Sequence, residues 1–200
     1  MDRETSRMIE TATLVVTDFD GTLADLRVDW VSLKRRLHAE AKCAGLVWPD
    51  NKGLDANLRR VRRANGEEAF RRLCAIVGDA ECAGFDPNRI NAPLVEALKA
   101  RRNKPLAVFS ANTRSGLLAI LSHPVFSGLR PFLVAKDDVN RGKPDPEGIE
   151  RARLFFDVSC QEILFLGDAD VDRRASSSAG TSFATFRRCD CITHGAHSYS

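Results

Sequence analysis

No stretch of this 200-residue chain approaches the roughly 20 consecutive apolar residues that a membrane helix needs, so the sequence predicts no bilayer span. The opening Met1-Asp2-Arg3-Glu4-Thr5 likewise lacks the apolar stretch of a secretion signal. A cytoplasmic protein is the expectation. Charge of one sign is also scarce: 30 Lys and Arg against 27 Asp and Glu leave a net +3, too little to argue for nucleic acid as a partner. Internal repeats and low-complexity tracts are missing as well. What remains is an ordinary soluble composition, 44% apolar and 28% charged, long enough to bury a substantial core.

Against that background one stretch stands out. Thr13-Leu14-Val15-Val16-Thr17 is a buried-type apolar run, and it ends in Asp18-Phe19-Asp20-Gly21-Thr22-Leu23. Two acids leaving the end of a strand at a glycine turn can reach one small cavity, where unpaired they would repel. A divalent cation, or a division of roles between them, removes that objection. Three further groups follow in order. Pro105-Leu106-Ala107-Val108-Phe109 ends at Ser110-Ala111-Asn112-Thr113; Gly142-Lys143-Pro144-Asp145-Pro146 puts a lysine before a helix start; Ile163-Leu164-Phe165-Leu166 ends at Gly167-Asp168-Ala169-Asp170-Val171-Asp172. Each sits where a strand or loop hands over to a helix.

These residue types suit the hydrolysis of a phosphate monoester, which needs a nucleophile, a proton source for the leaving oxygen, and positive charge around the phosphoryl oxygens. Asp18 is the candidate nucleophile. Asp20 is the candidate acid and base. Asp168 would complete an oxygen-rich site for Mg²⁺ with Asp18 and Asp20. Lys143 supplies a point charge, and Ser110 a hydroxyl beside backbone N–H groups, with Asn112 a further candidate substrate contact. Each residue has a plainer reading too: Ser110 and Thr113 as helix caps, Lys143 as a solvated loop lysine, Asp170 and Asp172 as acids at a helix start.

The four motifs, in this order, resemble those of the haloacid-dehalogenase-like superfamily, specifically its phosphatase branch, over about Leu14 to Phe186. DFDGTL matches the first motif, Ser110 the second, Lys143 the third, and Asp168 with Asp172 the fourth. The second aspartate, Asp20, implies phosphoryl rather than halide chemistry. Lys143-Pro144-Asp145-Pro146-Glu147-Gly148 is similar to the phosphoglycolate-phosphatase-like group. The resemblance also implies that Asp172 belongs to the metal site; Asp170 is left without a role.

Strands are expected at Leu14–Phe19 and near Leu106–Ser110, Phe132–Ala135, Ile163–Gly167 and Ser182–Phe186. Helices alternate with them near Pro93–Arg102, Arg114–Ser122, Pro146–Phe156 and Val171–Ala179, with Gly180 as a C-terminal stop. Such alternation predicts an α/β fold, a three-layer Rossmann-like parallel sheet with function at the strands' C-terminal ends. The segment Ala24–Asn91 breaks the pattern. Trp30, Leu33 and Leu37, then Leu54, Leu58 and Val61, then Phe70, Leu73 and Val77 keep helical spacing, punctuated by Gly45, Pro49 and Gly66. It resembles the superfamily's helical cap, giving a core of 10–23 and 92–188, a cap of 24–91 and a tail of 189–200. Its basic runs, Lys34-Arg35-Arg36, Arg59-Arg60-Val61-Arg62-Arg63 and Arg71-Arg72, read as a solvated face or as an attractor of anionic metabolites.

Cys43, Cys74, Cys82 and Cys160 read as reduced, mostly buried thiols. Cys189, Cys191, His194 and His197 carry donors for zinc at spacings tighter than usual, or form a tail with incidental ligands. The tail is also where the chain departs from the family's pattern, which continues with another strand and helix. The expected activity is Mg²⁺-dependent hydrolysis of a small phosphorylated metabolite through an aspartyl phosphate. A phosphomutase, a phosphorylation receiver and a non-catalytic phosphate-binding module are the alternatives.

Overall fold

The computed structural model describes residues 1–49 and 53–186. Five strands, β1 (Leu14–Thr17), β2 (Leu106–Phe109), β3 (Phe132–Val134), β4 (Ile163–Gly167) and β5 (Ser182–Thr185), form one sheet. All its pairings are parallel, in the order β3-β2-β1-β4-β5. Seven α-helices accompany it among the described residues: α1 (Arg3–Thr11), α2 (Trp30–Cys43), α3 (Leu54–Ala83), α4 (Ala92–Ala100), α5 (Arg114–Leu121), α6 (Glu147–Phe156) and α7 (Asp170–Ala179). The α/β class and the sheet are those expected.

The continuous apolar strands are explained by burial on both faces. Val15, Val108, Leu164 and Leu166 pack with Ile9 of α1, Leu94 and Leu98 of α4, and Leu117 and Ile120 of α5. Their neighbours Leu14, Val16, Phe109, Ile163 and Phe165 face the other way, onto Ile149 and Ala152 of α6 and Ala175 of α7. The period-two alternation thus sorts each strand between two cores, and each fully buried Leu or Phe adds ~1.5–3 kcal/mol.

Helix α1 was not expected. Its signal is short: Asp2 caps it, accepting from Thr5 N at 2.7 Å, and only Ile9 is buried. Between β1 and α4 the described residues hold helices and no strand of the sheet, as their spacing implies. Helices α2 and α3 have their own core of Leu33, Leu37, Leu58, Val61, Phe70, Leu73 and Val77. Gly66 punctuates α3 as its position implies: with φ 86° and ψ −179° it is non-helical, and α3 is two helical segments joined across a kink there. Cys74 is buried and Cys82 and Cys160 are half-buried, but Cys43 is exposed, because at the end of α2 it lies off the stripe formed by Leu33, Leu37 and Ala41. Cys189, Cys191, His194 and His197 fall outside the described residues.

Candidate active site

Strand β1 stops at Thr17, earlier than expected, but Asp18 N still donates to Leu166 O at 2.8 Å, so Asp18 leaves the sheet in register with β4. The chain then turns sharply, with Thr22, Leu23 and Ala24 N–H groups all directed at Phe19 O. Gly21 makes the turn possible in two ways. Its φ is +88°, and a Cβ there would stand 2.6 Å from Asp168 Oδ2. Only glycine meets both demands without strain.

Strand β4 delivers Asp168 and, at the first turn of α7, Asp172. Asp172 is fully buried, its Oδ2 accepting from Ala169 N at 3.1 Å. Asp18, Asp168 and Asp172 each offer an oxygen, and these lie within 4.8 Å of one another. Lys143, from the loop before α6, places its Nζ 2.6 Å from Asp18 Oδ1 and 2.6 Å from Asp172 Oδ1. The same Nζ lies 5.6 Å from the ring centre of Phe109 and 5.9 Å from that of Phe165.

Three carboxylates therefore face one ammonium, an excess of negative charge that a divalent cation with oxygen ligands fits. Burial pushes the Asp18 carboxyl up to about 6, with Asp172 adding to the rise and Lys143 opposing it. Burial also raises Asp168, again helped by Asp172. For Lys143 burial acts downward, but Asp18 and Asp172 outweigh it and hold the ammonium above its ordinary value.

Asp20 stands apart from the three-carboxylate group. Its Oδ1 accepts from Leu26 N at 2.9 Å, and burial, with a smaller contribution from Asp168, raises its pKa. Asp170 is exposed and pairs with Arg173 rather than entering the site. Ser110 and Asn112, following β2, are buried and joined, Ser110 Oγ donating to Asn112 Oδ1 at 2.7 Å. Thr113, not Ser110, caps α5, accepting from Gly116 N at 3.2 Å.

Asp18, Asp20, Ser110, Asn112, Lys143, Asp168 and Asp172 line one cavity of about 640 Å³ at the C-terminal ends of the strands. Trp30 of α2 and Leu54, Asp55 and Arg59 of α3 line it from the helical side. Of the basic run, Arg59 turns to the cavity, Arg62 bonds Glu67 and Val139 O, and Arg60 and Arg63 are exposed.

Two charged groups escaped the sequence reading, one on the cavity wall and one behind it. Lys136, just beyond β3, is nearly buried and pairs with Asp55 at 3.0 Å. Glu81 of α3 is fully buried against Asn112 and Thr113. Glu81 was findable: it continues the stripe Phe70, Cys74, Val77 at helical spacing, and an acid on an apolar stripe needs a partner. Lys136 left no such signal.

Comparison with known proteins agrees with this geometry. A family model described as haloacid dehalogenase-like hydrolase matches residues 12–180. A plasmid-borne phosphoglycolate phosphatase of Cupriavidus necator is 28% identical over 185 residues, covering 84% of this chain and 78% of that protein. An N-acetylmuramic acid 6-phosphate phosphatase of Pseudomonas putida is 26% identical over 193 residues, covering 86% and 82%. Among solved structures, one from Bacteroides fragilis named as a haloacid dehalogenase-like hydrolase superposes with a TM-score of 0.61 at 24% identity over 86% of each chain, a likeness of fold. With its acid pair, lysine and second acid cluster assembled at one end of a parallel sheet, and the family model spanning most of its length, the chain belongs to the haloacid dehalogenase-like hydrolase family.

Proposed function

We propose that this hydrolase is a Mg²⁺-dependent phosphatase acting on a small phosphorylated metabolite. Asp18 is its nucleophile and Asp20 its general acid and base. The observation that carries the reading is the convergence of Asp18, Asp168 and Asp172 around Lys143, with Asp20 close by but bonded elsewhere.

In this reading an Asp18 carboxylate oxygen attacks phosphorus and the bond to the leaving oxygen breaks, giving an aspartyl phosphate and an alcohol. Asp20 gives the leaving oxygen its proton; the burial that raises its pKa favours the protonated starting form. Asp20 then takes a proton from the water that hydrolyses the aspartyl phosphate, and inorganic phosphate leaves. Ser110, Asn112 and Lys143 contact the phosphoryl oxygens and hold them in line. Mg²⁺, held by Asp18, Asp168 and Asp172, supplies positive charge against those oxygens when bound. Asp20 was also expected among the metal ligands; this reading gives its carboxyl the proton-transfer role instead, supported by its place outside the three-carboxylate group and by the bond that its Oδ1 accepts from Leu26 N.

Residues 24–91 act as the lid between core segments 10–23 and 92–188, closing the cavity against water. Trp30, Leu54 and Arg59 on the cavity wall support this. The test is a phosphate-release assay over a panel of phosphorylated metabolites with Mg²⁺. Repeated release supports hydrolysis; a single stoichiometric phosphorylation, or phosphate returned to substrate, overturns it.

A further inference from the structure

The arginines of α3 divide into two sets. Arg62 and Arg71 pair with Glu67, and Arg72 pairs with Glu40. Arg59, Arg60 and Arg63 have no ion pair or hydrogen bond among the described residues. These three are neighbours on one helix face, at i,i+3 and i,i+4 spacing, where like charges destabilise a helix. With Ala56 and Ala64 they line a groove of about 560 Å³, and no acidic residue is among its lining residues. The short alanines leave the space that the arginine side chains border. Asp55, the acid nearest in sequence, is held by Lys136. Ala56 and Arg59 also line the cavity that holds Asp18, so the groove opens beside it. Arg59 stands at the junction, its Nη1 3.3 Å from where a Cβ on Gly142, the residue before Lys143, would be.

We infer that this groove is the outer half of the substrate site and takes a second phosphate group, so that the substrate is a bisphosphorylated metabolite with its phosphates at two ends. Guanidinium forks match phosphate oxygens bidentately, and a dianion where three such forks meet relieves the repulsion among them. A single carboxylate would leave most of that charge unanswered. The reacting phosphate lies beside Lys143, the second lies among Arg59, Arg60 and Arg63, and the carbon skeleton of the leaving group joins them. Arg59 to Arg63 is about 6 Å along the helix axis, the reach of one phosphate and not of a polymer. A solvated face accounts for exposed arginines, but not for a row of them without carboxylate partners, bordering a groove that opens on the cavity. This inference rests on the phosphatase reading of that cavity, but its test does not need turnover.

The experiment is a calorimetric titration of the Asp18→Asn protein, with Mg²⁺ present, by linear alkanediol bisphosphates and by the matching alkyl monophosphates, a series that varies the span between the two phosphates. At the best length and low salt the bisphosphate should bind about a hundredfold more tightly than its monophosphate. Added salt should shrink that preference, because the groove is open to water. With Arg60→Gln and Arg63→Gln added, the preference should fall to about tenfold, the part that Arg59 retains. Both arginines are exposed, and thermal unfolding checks that the fold is kept; if the triple variant does not fold, Asp18→Asn with Arg63→Gln alone carries the same comparison. Equal affinity for the two probe classes at every length overturns the inference. So does a preference that the arginine substitutions leave unchanged, and so does an equal loss for both classes, which would make the row a general field and not a site. A preference that falls with the arginines, in a protein whose wild type releases no phosphate from any ester, sinks the proposed activity and leaves this inference standing. Active wild type whose Asp18→Asn form shows no preference sinks this inference alone. Binding of neither class overturns the inference, and an inactive wild type then overturns the activity with it.

Discussion

Lys143 and Asp18 lie 125 positions apart in the chain, yet the lysine Nζ is 2.6 Å from the aspartate Oδ1, and both groups are almost wholly buried. The pair joins the end of β1 to the loop before α6. It holds the proposed nucleophile in a single orientation while Asp172 anchors the lysine from the other side.

Asp18→Asn keeps the volume and removes the attacking oxygen. Turnover should fall by about 10³-fold or more, with the melting temperature within a few degrees of wild type. Activity near the wild-type level in the folded variant would remove Asp18 from the mechanism.

Chelation should abolish activity and Mg²⁺ should restore it, while Asp168→Ala should need far more Mg²⁺ to do so. Protons compete with the metal for Asp18, whose carboxyl is held at about 6. Apparent Mg²⁺ affinity should therefore weaken as pH falls below about 6. In metal-free protein the raised carboxyl binds its proton more tightly folded than unfolded. Its contribution thus favours folding toward pH 4 and is lost as pH rises through about 6. Calorimetric Mg²⁺ titrations and unfolding curves across this range check both signs; pH-independent Mg²⁺ affinity contradicts the first.

Asp20 and Lys143 should separate by leaving group. Asp20→Asn should cost about 10²-fold or more on an alkyl phosphate and much less on an activated aryl phosphate, whose leaving oxygen needs no proton. Lys143→Ala should depress both, since it removes charge beside the transferred group. Steady-state kinetics with the two ester classes decide, and equal losses in Asp20→Asn count against the acid role.

Arg59 lines the cavity from α3, and its Nη1 would be 3.3 Å from a Cβ on Gly142, next to Lys143. Arg59→Ala should raise KM roughly tenfold for a substrate with a second anionic group, and little for a neutral aryl phosphate. Similar KM changes for both would show that Arg59 reads no distal charge.

Lys136→Met should destabilise the fold by about 3 kcal/mol, because Glu81 is left buried without its counter-charge. Urea unfolding measures it. A loss below about 1 kcal/mol would show that the donors of Asn112 and Thr113 suffice for Glu81 by themselves.

The local chemistry of this protein was legible along the chain. Apolar runs as short as Leu14–Thr17 and Ile163–Gly167 mark strands buried on both faces, and the acids, serine and lysine at their ends mark the edge where a parallel sheet presents function. Helical spacing from Trp30 to Val77 likewise marks an all-helical insertion. Tertiary structure decided which of those groups meet. Asp168 and Asp172 share a cluster with Asp18, whereas Asp170 between them points to solvent, because α7 begins at Asp170 and turns successive side chains about 100° apart. It also decided that Asp20 bonds Leu26 N instead of joining that cluster, a choice made by the turn at Gly21. Lys136 and Glu81 lie in different elements far apart in sequence. No local pattern couples them, and only the packing of α3 over the strand ends makes their charges neighbours.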